Sequence, residues 1–315
     1  MIATVTANPC IDKTVVTENF DICRMNRVRV LRTDPSGKGI NVSKAIRALG
    51  GETFCTGFSF TDGGPSPLTE DLDSAGIPHD FVPVKGNLRV CTKIFDSTRK
   101  HTIEVNEYGP PVSEADLDAL LDRAAETAGK CGYLTLSGSL PAGASPDFYG
   151  RCLRRIHRDA PGCRVIADAE GELMLHALRE KPFLIKPNRE EFERTFGCTV
   201  GSVTELDAAV KDVMASYGVS MVCVSMGADG AYMADGEGAW FTEPYRVEIR
   251  SLQGAGDSMV AGICLALERG LPTAELLRWG AASSAASIMR DGTQVGTKED
   301  FEALLTEDHP VLRVR

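Results

Sequence analysis

The sequence has few aromatic side chains and few histidines. Aromatic residues make up 6% of its 315 residues, with two tryptophans, and there are five histidines. No two histidines have the H-x-x-x-H spacing, and no two cysteines have the C-x-x-C spacing. We therefore expect no structural or catalytic zinc site.

The sequence also lacks the features of a membrane or exported protein. No stretch approaches the roughly 18 consecutive apolar residues of a membrane-spanning helix. The first residues have no basic region followed by an apolar one, which a secretory leader requires. We therefore expect a cytoplasmic protein with no membrane partner.

Basic residues are fewer than acidic ones, 34 against 44, so the formal net charge is -10. An acidic chain is a poor candidate for nucleic-acid binding, which needs clustered lysines and arginines. A phosphorylated small molecule can still bind where a few basic residues and backbone N–H groups converge. The ten cysteines are scattered, and some lie in apolar runs, such as Cys223 and Cys264. We interpret them as free thiols in a reducing compartment.

Short apolar runs alternate with segments of helical period along the chain. Ile2–Thr6 is typical of a buried strand, and residues 40–49 place apolar side chains on one helix face. Ser113 with Asp116 resembles a capping box, and Ser145-Pro146 is predicted to open a helix. Further strands are predicted at 53–58, 133–136, 165–167, 183–185 and 219–224. This alternation predicts an α/β fold with a mostly parallel sheet covered on both faces.

Two regions interrupt the alternation. Residues 12–34 and 87–106 are rich in threonine, valine and arginine, and neither contains a convincing helical pattern. Their polar and apolar alternation predicts strands of a small separate sheet with one face over a cleft. No linker marks a domain boundary, so we expect residues 1–315 to form one domain that carries these inserted strands.

The segment with the clearest chemistry is Gly254-Ala255-Gly256-Asp257-Ser258, which leads directly into an apolar helix. Glycines allow close backbone approach, and a helix N-terminus offers unpaired N–H groups to an anion. Asp257, held ionised at neutral pH by the helix dipole, could accept the proton of an attacking hydroxyl. The alternative is a plain helix cap after a tight turn. A dinucleotide fingerprint would need glycine at position 259, where methionine stands.

A second glycine loop, Gly37-Lys38-Gly39-Ile40-Asn41, also leads into a helix. Its glycines allow backbone contact with a polyol while the Lys38 ammonium meets a phosphate. A Walker A motif would need serine or threonine at position 39, so that motif is absent. The alternative is a loop with a surface lysine.

Two further segments follow predicted strands. In the segment 186–191, Asn188 and Glu191 share a helix face and could organise the water shell of Mg²⁺, although a capped helix with solvated acids fits as well. The segment Ser225 to Gly230 is a strand end followed by a glycine turn that could lie near nucleotide phosphates. Open α/β sheets bind ligands at this edge.

Taken in order, these segments resemble the pfkB, or ribokinase-like, carbohydrate kinases, in the branch of 1-phosphofructokinases and tagatose-6-phosphate kinases. The resemblance runs nearly end to end and also includes Asn8-Pro9 with Asp12, 106–110 and 137–141. It implies a three-layer α/β/α core with a β-sheet lid, ATP with Mg²⁺, and transfer of the γ-phosphoryl group to a sugar hydroxyl.

The resemblance also implies roles for individual residues. Asp257 matches the catalytic base, and the backbone of Gly254, Ala255 and Gly256 matches its anion hole. The positions matching substrate contacts are Asp12, Gly37, Lys38, Gly39, Asn41, Arg89, Asn106 and Ser137, with Lys38 and Arg89 near the existing phosphate. The positions matching the nucleotide side are Lys186, Asn188, Glu191, Ser225, Gly227 and Gly230, with Glu191 acting on Mg²⁺ through water. Members often dimerise through the lid, so a homodimer is expected.

The sequence departs from the family pattern at 59–67, at Ser36 and at Gln253. None of these departures removes a residue that the chemistry requires. We expect fructose 1-phosphate as the substrate, giving the 1,6-bisphosphate, because the segment 106–110 resembles the 1-phosphofructokinases more than the tagatose-6-phosphate kinases. The alternatives are a tagatose-6-phosphate kinase, a sugar-phosphate sensor that binds without catalysis, and a nicotinamide oxidoreductase, which Met259 disfavours.

Overall fold

The computed structural model describes residues 1–306 and 308–315, which form two β-sheets flanked by helices. The strands are β1 Ile2–Thr6, β2 Cys10–Thr17, β3 Arg29–Ser36, β4 Thr53–Thr61, β5 His79–Lys85, β6 Arg89–Asp96, β7 His101–Asn106, β8 Tyr133–Ser137, β9 Arg164–Asp168, β10 Leu184–Ile185, β11 Met221–Ser225, β12 Ala231–Ala234, β13 Ala239–Thr242 and β14 Val311–Arg313. The helices are α1 Lys38–Ala48, α2 Pro67–Ser74, α3 Glu114–Ala128, α4 Phe148–Asp159, α5 Gly171–Arg179, α6 Arg189–Phe196, α7 Val203–Tyr217, α8 Ala255–Glu268, α9 Thr273–Ile288 and α10 Lys298–Thr306.

The large sheet has the strand order β14-β13-β12-β11-β10-β9-β8-β1-β4-β5. The strands from β11 to β5 in this order run parallel, and β12, β13 and β14 extend the sheet in antiparallel fashion. Strand β1 lies between β8 and β4, so the order changes direction there. In open α/β sheets, ligands bind at such a switch point, beyond the carboxyl ends of the strands.

Helices cover both faces of this sheet, as the fold-class prediction required. One apolar cluster joins the sheet to α3, α4, α5, α6 and α7 through side chains such as Leu120, Phe148 and Phe192. A second cluster joins the opposite face to α1, α8, α9 and α10 through side chains such as Ile46, Ile263 and Leu277. The predicted three-layer α/β/α core is therefore confirmed.

The small sheet has the order β3-β2-β6-β7, and its strands fall in the two regions that interrupt the α/β alternation. Strands β2 and β6 run parallel, with Asp12 opposite Cys91. Lid residues Asp12 and Lys93 line the same cavity as Asp257 of α8. This sheet therefore covers the cleft at the carboxyl edge of the large sheet, and we call it the lid.

Local predictions at helix ends are confirmed in one case and wrong in another. Ser113 and Asp116 form the expected capping box before α3. The helix expected at Ser145-Pro146 begins instead at Phe148, with Asp147 as its N-cap. The serine and proline form the turn that precedes it, in which the Phe148 N–H donates to the Ser145 carbonyl oxygen. Among the described residues, no helix has both the length and the apolar character needed to span a membrane.

Candidate active site

Polar side chains converge where several parallel strands end. Asp168 ends β9, Lys186 follows β10, and Ser225 ends β11. Together with lid residues and the start of α8, they line a cavity of about 460 Å³. An adjoining cavity of about 600 Å³ is lined by Asn8, Ser137 and other residues. A larger hollow of about 850 Å³ lies along the lid loop between β2 and β3 and includes none of these strand ends.

Asp257 is in the first turn of α8 and is buried with 7% of its surface exposed. The N-cap Gly254 has φ 74°, a left-handed conformation that glycine adopts without steric cost. The amide groups that follow, of Ala255 and Gly256, have no acceptor within the helix, as at any helix N-terminus. The Asn41 side-chain amide donates to Oδ2 of Asp257 at 2.9 Å. An acidic group is thus fixed beside amides that can receive an anion.

Burial raises the pKa of Asp257 to about 7, although nearby Lys38 and the hydrogen bond from Asn41 both act to lower it. The expectation that the helix dipole keeps this group fully ionised at neutral pH is therefore wrong. The physical reason is that desolvation of the carboxylate outweighs the favourable charges and dipoles around it. A carboxyl group with a pKa close to neutrality is suited to general-base catalysis.

A charged cluster lies beside Asp257. Lys38 Nζ is 3.3 Å from Asp168 Oδ1 and 3.8 Å from Glu191 Oε1, and Lys186 Nζ is 3.6 Å from the same Asp168 oxygen. Burial alone would raise the pKa of Asp168, but the two lysines hold it below its ordinary value. Sequence reasoning missed Asp168. The available signal was a polar residue at the end of an apolar strand, the feature shared by Ser137 and Ser225.

Asn188 and Glu191 form a capping box at the start of α6. The Glu191 N–H donates to Asn188 Oδ1, and the Asn188 N–H donates to Glu191 Oε2, both at 2.8 Å. The alternative interpretation as a helix cap is therefore correct for these atoms. The second oxygen of Glu191 faces Lys38 in the cleft, so the cap also fixes a carboxylate oxygen toward the cavity.

The lid contributes both positively and negatively charged side chains to the cleft. Lys93 Nζ donates to Glu104 Oε2 at 2.6 Å and to Asn106 Oδ1 at 3.4 Å. Arg89 donates to the backbone carbonyl groups of Asn8 and Glu107, both at 3.1 Å. These bonds leave part of the Arg89 donor set free, since a guanidinium has five N–H groups. Sequence reasoning did not select Lys93, because alternation in a strand does not reveal which face lies over a ligand.

Most of the substrate-side residues predicted from the sequence meet in these two cavities. They are Asp12, Gly37, Lys38, Asn41, Arg89, Asn106 and Ser137. Of the predicted site residues, Gly39, Gly227, Gly230 and Ala255 are not in the lining of either cavity. A Cβ at Gly39 would lie 2.6 Å from Thr6 Oγ1, and one at Gly230 would lie 2.0 Å from the Thr242 carbonyl oxygen. Close backbone packing therefore accounts for these two glycines, and their predicted ligand contacts gain no support.

An acidic side chain at a helix N-terminus, with unpaired amides and lysines beside it and a sheet lid opposite, is an arrangement suited to phosphoryl transfer. Comparison with known proteins agrees with this class. The pfkB family carbohydrate kinase model matches residues 5–300. The chain belongs to this family, and the predicted class of activity, phosphoryl transfer to a sugar, is confirmed.

The chain is similar to several proteins named 1-phosphofructokinase. The one from Bacillus subtilis (strain 168) is 33% identical over 314 residues, covering 98% of each chain. The one from Rhodobacter capsulatus is 33% identical over 304 residues, covering 96% of this chain and 95% of the relative.

The chain is also similar to solved structures of phosphofructokinases. Phosphofructokinase-2 from Escherichia coli, in complex with substrates and products, has a TM-score of 0.88 at 26% identity and covers 96% of this chain and 97% of its own. A possible 1-phosphofructokinase from Thermotoga maritima has a TM-score of 0.87 at 27% identity, covering 100% of both chains.

The pKa of Asp257 predicts a pH profile. If Asp257 is the base, only its ionised form accepts the hydroxyl proton, so kcat/KM should rise with pH through an apparent pKa of about 7. Below that pKa the rate should fall about tenfold per pH unit. Replacing Asn41 by leucine removes a hydrogen bond that favours the ionised form of Asp257. The pH at which kcat/KM rises should therefore move upward.

The measurement is steady-state kinetics across pH for the wild type, Asn41→Leu and the surface control Asn87→Leu. In the control, kcat/KM should rise at the same pH as in the wild type. A profile that stays flat from about pH 6 to 8 would contradict the assignment of the base.

Proposed function

We propose that this kinase transfers the γ-phosphoryl group of ATP to a hydroxyl of fructose 1-phosphate, giving the 1,6-bisphosphate. The observation that carries the proposal is the buried Asp257 beside the free amides of Ala255 and Gly256, in a cavity that also holds Lys38 and Lys186. The choice of sugar rests on near-full-length similarity to proteins named 1-phosphofructokinase.

On the sugar side, Asp12, Asn41 and the backbone at Gly37 would hold hydroxyl groups. Asn41 already connects this group to Asp257 through its hydrogen bond, so the sugar would lie against the base. Arg89 and Lys93 are the cations at the lid end of the cavities, and together with Lys38, which lines both, they would meet the existing phosphate. Asn106 and Ser137 complete the polar wall; the Ser137 hydroxyl is buried with no partner among the described residues.

On the nucleotide side, the residues fit a magnesium ion. Oδ2 of Asp168 is buried and has no hydrogen-bond partner within the described part of the chain, and Oε1 of Glu191 is outside the capping box. Mg²⁺ prefers such carboxylate oxygens, usually through water. When bound, the ion would neutralise the charge that develops on the phosphate oxygens. Lys186, Asn188 and Ser225 remain the residues proposed for the ATP phosphates.

The proposed mechanism is an in-line displacement. Asp257 accepts the proton as the sugar hydroxyl attacks, and the amides at the start of α8 stabilise the oxygens of the phosphoryl group in transit. Lys186 Nζ would lie 3.3 Å from a Cβ placed on Gly256, so a positive charge adjoins those amides. The lid would close over the sugar and exclude water, which suppresses hydrolysis of ATP.

The substrate is tested by a panel of ketose phosphates. With ATP and Mg²⁺, kcat/KM for fructose 1-phosphate should exceed that for fructose 6-phosphate and tagatose 6-phosphate. Fructose 6-phosphate belongs in the panel because a structure of Escherichia coli phosphofructokinase-2 with this sugar is similar to the chain, with a TM-score of 0.86. A preference for either 6-phosphate would overturn the proposed sugar. Binding of all three without release of ADP would favour the sensor instead.

The role of Asp257 is tested by Asp257→Asn. Loss of the base should lower kcat by about 10²–10⁴-fold, while sugar-phosphate binding measured by calorimetry stays nearly unchanged.

Above pH 7, the melting temperature of Asp257→Asn should be no lower than that of the wild type. A buried carboxyl with a raised pKa stabilises the fold when protonated, and that stability is lost as pH rises through about 7. Asp62→Asn, on an exposed loop, is the matched control; retained turnover in Asp257→Asn would refute the role.

We also propose a cytoplasmic homodimer that associates through the lid. All ten cysteines are free, which suits a reducing compartment. Large apolar side chains are exposed on the lid strands and their loop, and they include Ile22, Met25, Val30, Leu31 and Val105. Exposed apolar patches of this kind commonly mark protein interfaces. A tetrameric form is named for Escherichia coli phosphofructokinase-2, so members of this fold group can self-associate.

The dimer is tested by Leu31→Glu with Val105→Glu. The wild type should scatter light as a dimer, with twice the 33.8 kDa mass of one chain. The two glutamates on the lid should convert it into a monomer. Leu312→Glu is the control, because Leu312 is equally exposed but lies on β14 of the core sheet. A monomeric wild type, or a lid variant that stays dimeric, would contradict the proposal.

A further inference from the structure

Three potential metal ligands meet on the cleft side of the lid. Cys10 begins β2, Asp12 lies two residues later on the same face, and Cys91 is directly opposite Asp12 on β6. Their donor atoms all lie within 4.8 Å of one another, and all three residues are buried. Cys10 Sγ is 3.9 Å from Asp12 Oδ1. Two thiols and a carboxyl are thus held together by the register of two parallel strands.

We propose that Cys10, Asp12 and Cys91 form a binding site for a thiophilic divalent cation of the Zn²⁺ class. Zinc–sulfur bonds of about 2.3 Å at tetrahedral angles place two sulfur ligands about 3.8 Å apart. The three donor atoms lie within 4.8 Å of one another, so modest side-chain rotations would bring the two sulfur atoms to this separation. Binding would release the two thiol protons, and because all three residues line the cavity, water could supply the fourth ligand.

The surrounding charges are compatible with this site. Two thiolates and one carboxylate carry three negative charges, so a bound divalent cation leaves one negative charge. Lys93 and Arg89 both act electrostatically on Asp12 and line the same cavity. They would repel a cation bound by the carboxylate alone, but they balance the complete two-thiolate complex. The site therefore selects metals that displace thiol protons and disfavours Mg²⁺, which prefers oxygen ligands.

This site has a consequence for the kinase. Asp12 is also the proposed ligand for a sugar hydroxyl, so the metal and the sugar phosphate should compete for one carboxylate. Inhibition by Zn²⁺ should be competitive with the sugar phosphate and not with ATP. This competition rests on the proposed function, whereas metal binding itself does not.

The test uses Co²⁺ and Zn²⁺ with the full chain, reduced by a phosphine and stripped of metal. One Co²⁺ per chain should give a thiolate-to-metal charge-transfer band, and Zn²⁺ should displace it, as expected from their relative affinities. Cys10→Ser and Cys91→Ser should each weaken binding at least about 100-fold, since even loss of a ligand's outer partner costs roughly 10–100-fold. Both variants should keep turnover without added Zn²⁺ and lose its inhibition.

The matched control is Cys131→Ser with Cys163→Ser, which removes a second close thiol pair, with a sulfur–sulfur distance of 3.7 Å, outside both cavities. This variant should keep the band and the inhibition. Absence of the band in the wild type, or its persistence in Cys10→Ser and Cys91→Ser, would overturn the site. Failure of the proposed sugar would show only in the substrate panel, because the spectroscopic titration needs no substrate.

Discussion

The proposed chemistry depends on one buried acid, Asp257, held at the N-terminus of an apolar helix. Most of α8 is buried in the core, and it crosses α9 so closely that a Cβ at Gly262 would lie 2.4 Å from the Trp279 carbonyl oxygen. Core packing therefore fixes where the helix begins, and with it the position of the acid. Burial raises the pKa of Asp257 to about 7, so the packing that positions the group also sets its basicity.

The same cleft brings four basic side chains together with five acidic ones, in a chain whose formal net charge is -10. Lys38 and Lys186 both face Asp168; Lys186 is buried with 3% of its side chain exposed, and that carboxylate stabilises its charge there. The pairing leaves the lysines charged and directed at the cavity. An anionic substrate thus finds local attraction on an otherwise acidic protein, and overall charge predicts little about this site.

The sequence predicted the fold because its strands and helices follow their own periods, and because glycine loops stand at the strand ends. It also predicted Asp257, Lys38 and Asn41 as site residues. What it could not predict depends on long-range pairing. The hydrogen bond between Asn41 and Asp257 joins residues 216 apart, and Cys91 meets Asp12 only through the register of β2 and β6. Desolvation of Asp257 is likewise a property of the assembled core, which is why a dipole argument from local sequence failed.

The electrostatic link between Lys38 and Asp257 would relate phosphate binding to catalysis. Lys38 acts to lower the pKa of Asp257, while Asp168 acts to raise it. When phosphate oxygens engage the Lys38 ammonium, its positive charge is neutralised, and its influence on the carboxylate falls. The proton affinity of Asp257 should then increase, so the ionised carboxylate becomes a stronger acceptor of the hydroxyl proton while a larger share of it is protonated at neutral pH. A base of about neutral pKa is suited to this coupling, because a small change in neighbouring charge changes its protonation substantially.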